Sequence, residues 1–201
     1  VTDPWLLLET GLRFKIASKS GKVYETTFLA VGPEDAGLYV RLEDRKLARL
    51  SPQRLVWTTL EKGARGAVLL PGDELLLRTA AGEEISGKLL KPPVDEFALR
   101  LIGGTTVTVP FASLADGTFR LLFPASDVRA GDDFFVKSRS GNEYRGRAAV
   151  IEPDRIAVQL VGKEPGDLVH IQVAKIDLRS LYVLIPLKVT SLDVATVAPA
   201  G

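Results

Sequence analysis

The chain of 201 residues has no cysteine. That excludes disulfides and thiolate metal sites. It fits a reducing compartment, so a cytoplasmic location is the expectation. Methionine is absent as well, even at position 1, and a targeting segment removed before that point would leave no trace. Val1 to Thr10 has no basic region and is too short for a signal peptide. No apolar run approaches the ~20 residues that span a bilayer, so no membrane span is expected. Net charge is only +1, from 26 basic and 25 acidic residues, which does not suggest a dedicated nucleic-acid binder. No window holds a 3.6-residue apolar period. That excludes an ordinary helical domain.

One histidine is present, His170, in Val169-His-Ile-Gln-Val173. Val169, Ile171 and Val173 share one strand face, so His170 points the other way with Gln172. Its plain reading is a solvated strand histidine. A nucleophile–base pair or a metal site would need partners, and no second histidine exists. The acidic pairs Glu34-Asp35, Glu83-Glu84, Asp95-Glu96 and Asp132-Asp133 sit at turns or strand starts. None has calcium-loop spacing. The glycines form no phosphate-binding fingerprint, and Gly103-Gly104 reads as a hairpin turn. The expectation is therefore a protein that is not an enzyme and uses no cofactor or metal.

What the chain does have is a repeat. Gly11, Gly72 and Gly131 each open a short apolar run, and each is followed ten residues later by Gly21, Gly82 or Gly141. Three residues further stand Tyr24, Ile85 and Tyr144. The copies read GLRFKIASKSGKVYETTF, GDELLLRTAAGEEISGKL and GDDFFVKSRSGNEYRGRA. A near-constant period of this kind means one small unit used three times. The expected division is 1–62, 63–123 and 124–201.

Each copy reads as five short strands. Phe14 and Ile16, Leu75 and Leu77, and Phe134 and Val136 alternate inward in the first strand. Glycine then supplies the positive φ of a tight hairpin. The third strands align as Leu38–Leu42, Phe97–Leu101 and Ile156–Leu160, with the second and fourth residues of each expected to point outward. Fourth strands are expected at Lys46–Leu50, Thr106–Val109 and Val169–Val173. A helical turn ending in Leu55, Leu114 or Ile176 then leads to Val56–Leu60, Phe119–Phe123 and Leu181–Ile185. The tail has one weak strand signal at Lys188–Val194, and its end, Ala-Pro-Ala-Gly, is expected to fray. The expected fold is all-β: three tandem five-stranded small barrels packed as a compact array. A barrel of about 60 residues is marginal alone, so neighbours should pack together.

Gly141-Asn-Glu-Tyr-Arg-Gly-Arg147 resembles the bent second strand of Sm-like proteins. Val107-Thr-Val-Pro-Phe-Ala-Ser-Leu114 with Phe119-Arg-Leu-Leu122 is similar to the end of the Sm-like C-terminal domain of the ribosome maturation factor RimP family. The general pattern resembles Sm-like and Src-homology-3-like small barrels. The second copy also resembles the barrel that precedes PilZ domains, without their paired-arginine motif. The isoleucine-arginine-glycine signature of uridine-binding Sm proteins has no counterpart at Leu50-Ser51-Pro52, Val109-Pro110-Phe111 or Val173-Ala174-Lys175. The resemblance therefore implies a barrel and carries no base-binding residue.

Two surfaces are candidate sites. Arg13, Lys15, Lys19 and Lys22 cluster about the first hairpin, and Arg139, Arg145 and Arg147 about the third. With Tyr24 and Tyr144 they are candidate phosphate or RNA contacts. Residues 11–62 carry ten basic and six acidic side chains, a balance of +4; residues 72–123 stand at −2 and residues 131–185 at zero. The second surface is apolar. Lys15 has Leu76 and Phe135 as its counterparts in the other copies, and strand alternation turns this position outward. Leu76, Phe135 and a further outward leucine, Leu90, are candidate contacts with a partner or between barrels. The functional expectation is a binding or scaffold protein acting through protein–protein contacts or self-association. The alternative is an RNA- or ribosome-associated protein using the basic hairpins of copies one and three.

Overall fold

The computed structural model describes residues 3–33 and 37–192. It is all-β, with fifteen antiparallel strands and only short 3₁₀ turns among the described residues. The first unit comprises β1 (Leu12–Ser18), β2 (Val23–Val31), β3 (Leu38–Leu42), β4 (Leu47–Leu50) and β5 (Leu55–Arg65). The second comprises β6 (Glu74–Thr79), β7 (Glu84–Leu89), β8 (Glu96–Arg100), β9 (Thr106–Pro110) and β10 (Leu114–Pro124). The third comprises β11 (Asp133–Lys137), β12 (Glu143–Ile151), β13 (Arg155–Leu160), β14 (Leu168–Gln172) and β15 (Tyr182–Lys188). Strand order is the same in all three: fourth, third, second, first, fifth. No helix of the described residues is long and apolar enough to cross a membrane.

The local chemistry repeats with the sequence. At the hairpins, Gly21, Gly82 and Gly141 take φ of +86°, +85° and +91°. Each donates its N–H to the carbonyl three residues back, at 2.9 Å: Ser18, Thr79 and Ser138. The side-chain oxygens of those three residues accept a second backbone N–H, from Lys22, Glu83 and Asn142. In the second strands, Gly87 and Gly146 lie so close to the third strand that a Cβ would stand 2.8 Å from Arg100 O and 2.3 Å from Gln159 O. The equivalent residue of the first unit is Thr26, which is buried, and its hydroxyl has no partner among the described residues.

The last strands are longer than alternation alone indicates, and β5 runs past the expected boundary at residue 62. They also behave differently. β10 and β15 pair with each other from Thr118↔Lys188 to Pro124↔Tyr182, fusing units two and three into one ten-stranded sheet. Their sequences permit this, because Leu121-Leu122-Phe123 and Val183-Leu184-Ile185 are apolar on both faces. β5 carries Glu61-Lys62-Gly63 at the matching place, and its pairing with β1 contains a register shift there. Charge and a bulge on an edge strand oppose further pairing, so the first unit keeps a separate five-stranded sheet.

Among the described residues, the first unit is joined to the other two through a shared core and two ion pairs. Leu29 and Tyr39 belong to the same buried cluster as Leu77, Phe119 and Ile185. Tyr39 and Arg41, expected to point to solvent, are only 2% and 6% exposed. They face outward from their own sheet, as alternation requires, but that face is covered by units two and three. Asp73 and Asp132 each follow an opening glycine and receive an arginine from the first unit. Arg41 Nη2 lies 2.6 Å from Asp73 Oδ2. Arg49 Nη2 lies 3.0 Å from Asp132 Oδ2, which is fully buried. Asp132 also accepts the Tyr39 hydroxyl and the Arg129 N–H, each at 2.8 Å. The Arg49 guanidinium stands over the Tyr39 and Phe123 rings at 5.5 and 5.8 Å, a favourable cation–π arrangement.

The weak strand signal of the tail ends in described structure as the last residue of β15 and a 3₁₀ turn, Val189–Ser191. Leu192 is described and buried; residues 193–201, with the expected frayed end, and the Glu34-Asp35 pair lie outside the described residues.

Candidate functional site: a valley between units two and three

Two concave surfaces hold most of the expected site residues. The first is a cleft of about 480 Å³ on the outer face of the first unit. Arg13, Lys15, Arg45 and Lys62 line it, with Glu25, Glu43 and Glu61 among them. Lys15 stands 3.6 Å from Glu25, because Lys15 and Glu25 are direct cross-strand partners in the β1–β2 register. Lys22 lies over the Tyr24 ring at 4.9 Å in an adjoining hollow that shares Lys15 and Glu25. Lys19 is exposed at its hairpin, as is Arg139 at the third one.

The second surface follows from the fused sheet. β7 and β12 are five strand spacings apart, roughly 24 Å if the sheet were flat. Yet Arg145 Nη1 on β12 lies 2.6 Å from both Glu84 oxygens on β7. The sheet therefore curls around a valley whose floor is the outer face of β10 and β15. Leu76, Arg120 and Pro186 are successive cross-strand neighbours there. Leu122 faces Leu184, and Pro124 faces Tyr182, which in turn faces Phe135. The Phe135 and Tyr182 rings are 6.4 Å apart. Burial, and secondarily the charge of Glu74, raises the Tyr182 hydroxyl above its ordinary pKa.

Leu76, Phe135 and Leu90 are each half-buried. Leu76 and Phe135 fall on the valley face, whereas Leu90 stands past the end of β7, its N–H bonded to Ala98 O. Arg145 and Arg147 also reach the valley, but both have acidic partners. Arg147 Nε lies 3.2 Å from Asp133 Oδ1. The hollows that hold Arg13 and Lys15 share no residue with those that hold Arg145 and Arg147. The basic residues of the two hairpins are thus held on separate surfaces. His170 is exposed on β14, opposite Ala157.

Sequence reading missed Arg120. It lies at the centre of the valley floor and lines a cavity of about 460 Å³ on one side and another of about 300 Å³ on the other. Its Nε is sealed from solvent and has no hydrogen-bond partner among the described residues. The available signal was its place in Phe119-Arg-Leu-Leu-Phe123, a lone cation inside an apolar run. Compared with known proteins, the chain matches no family model and no curated protein.

Proposed function

We propose that this chain is a non-enzymatic binding or scaffold protein, built from tandem Sm-like or Src-homology-3-like small barrels, that engages another protein along the valley between its second and third units. The observation that carries this reading is the outer face of β10 and β15. Strand alternation assigns Leu76, Leu122, Phe135, Tyr182 and Pro186 to a face turned away from the cores, where a solvated sheet carries polar residues. All but Leu76 adjoin one another around Leu184 and Tyr182, and Arg120 stands between Leu76 and Pro186. Contiguous apolar surface of this kind marks interaction sites. Buried ion pairs fix the first unit against the other two, which suits a rigid platform.

The RNA reading is supported by the first cleft and by the lysine–tyrosine contact at Lys22. Against it, three of its seven residues, Lys15, Arg145 and Arg147, already have carboxylate partners. One experiment separates the two. Bound material is recovered from the native cell with the parent, with Leu76→Lys/Phe135→Lys, and with Lys19→Glu/Lys22→Glu. The protein reading expects nuclease-resistant partners that the first variant loses and the second keeps. Nuclease-sensitive material lost only by the lysine variant would replace it with the RNA reading.

A further inference from the structure

Accepting the valley as a protein-binding face, we infer that Arg120 selects its occupant: an extended peptide segment carrying one aspartate or glutamate between apolar residues. Of the other three arginines that line the two cavities, two have carboxylate partners and the third, Arg78, is exposed. Arg145 has Glu84 and Arg147 has Asp133. Arg120 has neither an ion pair nor a hydrogen bond among the described residues, and its Nε has lost water. A buried donor left unsatisfied is costly, and the two terminal nitrogens of Arg120, which are not sealed, offer the pair of donors that a carboxylate binds through two parallel N–H···O bonds.

The surroundings define the rest of the ligand. On either side of Arg120 stand Leu76 and Pro186, with Leu184 lining the far cavity. An extended segment laid along the valley would have apolar surface on both sides of the carboxylate, Leu76 and Pro186, and would next meet Leu122 and Leu184 in one direction along the strands. Lining the two cavities, four arginines face three carboxylates, Glu84, Asp116 and Asp133. That excess of one cation matches a single acidic side chain. A nucleic-acid backbone would bring several phosphates against those carboxylates, so a polyanion fits poorly. The Arg145–Glu84 pair spans the valley.

The test uses a displayed library of random twelve-residue peptides, sorted on the full chain. Enriched peptides should carry Asp or Glu flanked by Leu, Ile or Phe. Replacing that acid by its amide in a synthetic copy should weaken binding at least tenfold. Arg120→Met should do the same, while melting at the parent temperature or about 2–4 °C above it, since an unsatisfied donor has been removed. A merely structural arginine would instead lower the melting temperature on replacement, and that result overturns the inference. So does enrichment of peptides without acids, or binding that Arg120→Met leaves unchanged. In that case retained sensitivity to Leu76→Lys would leave the protein-binding reading standing. Failure of any peptide to enrich also overturns it.

Discussion

Replacing Asp132 by alanine should be the most damaging single truncation at the junction of the three units. The carboxylate has no exposure and holds three donors: the Arg49 guanidinium, the Tyr39 hydroxyl and the Arg129 N–H. Removing one member of a buried ion pair costs about 3–5 kcal/mol, because the other charge stays buried. Arg49 has little to fall back on. Among the described residues its Nε and Nη1 are already buried without partners, and Nη2 keeps only the Asp127 carbonyl at 3.2 Å. The Tyr39 hydroxyl would be orphaned at a further cost of about 1–3 kcal/mol. The two losses overlap, so about 4–6 kcal/mol is expected, or about 10–20 °C in melting temperature for a chain of this size. Asp73→Ala provides the control. Arg41 would keep the carbonyls of Arg45 and Val68, at 3.1 and 3.0 Å, so its loss should be smaller, about 3 kcal/mol. Replacing both Asp132 and Arg49 by leucine and methionine should recover much of the stability, since an apolar pair leaves no charge buried. Urea unfolding at 25 °C and calorimetry measure all four proteins. The reasoning is refuted if Asp132→Ala melts within about 3 °C of the parent, or above Asp73→Ala.

Three further outcomes follow from the same structure. Burial, then the negative charge of Asp132, raises the Tyr39 phenol above its ordinary value. The fold therefore favours the neutral form, and that stability is complete below about pH 10 and is lost as pH rises beyond it, at up to about 1.4 kcal/mol per unit; Tyr39→Phe should flatten the alkaline limb, and identical slopes from pH 9 to 12 would reject this. Gly146→Ala would place a Cβ 2.3 Å from Gln159 O, so β12 and β13 must separate locally at about 1–3 kcal/mol, read as a lower denaturation midpoint with unchanged slope; an unchanged midpoint would show that the close approach is not needed. If RNA binds at all, Lys19→Glu/Lys22→Glu should weaken it and reduce the log–log salt slope by about one for each phosphate that is no longer neutralised; a salt series indistinguishable from the parent would remove the first hairpin from any role in RNA binding.

The candidate sites were only partly legible. Leu76 and Phe135 could be found because a repeat lets one copy be compared with another: where Lys15 prefers water, the other two copies place apolar groups. Arg120 was hidden by the same comparison, since it is a single charge within an apolar strand and its meaning depends on what stands across the valley. Arg145 and Arg147 read as a free cationic cluster, but their carboxylate partners, Glu84 and Asp133, are supplied by another strand in each case.

The sequence by itself determined the all-β class, the succession of five strands along each unit, and the hairpin chemistry. These depend on alternation and on turn residues within about twenty positions of one another, so local physics decides them. Even the separation of β5 from β10 and β15 was written locally, in Glu61-Lys62-Gly63. The tertiary structure alone decided how the units meet. Tyr39 and Asp132 are 93 positions apart, and nothing near Tyr39 says that its outward face will be covered. The acids that receive Arg41 and Arg49 read as ordinary turn carboxylates beside Gly72 and Gly131. A buried charge is tolerated only where its partner is also buried, and that pairing exists only once units far apart in the chain are packed together.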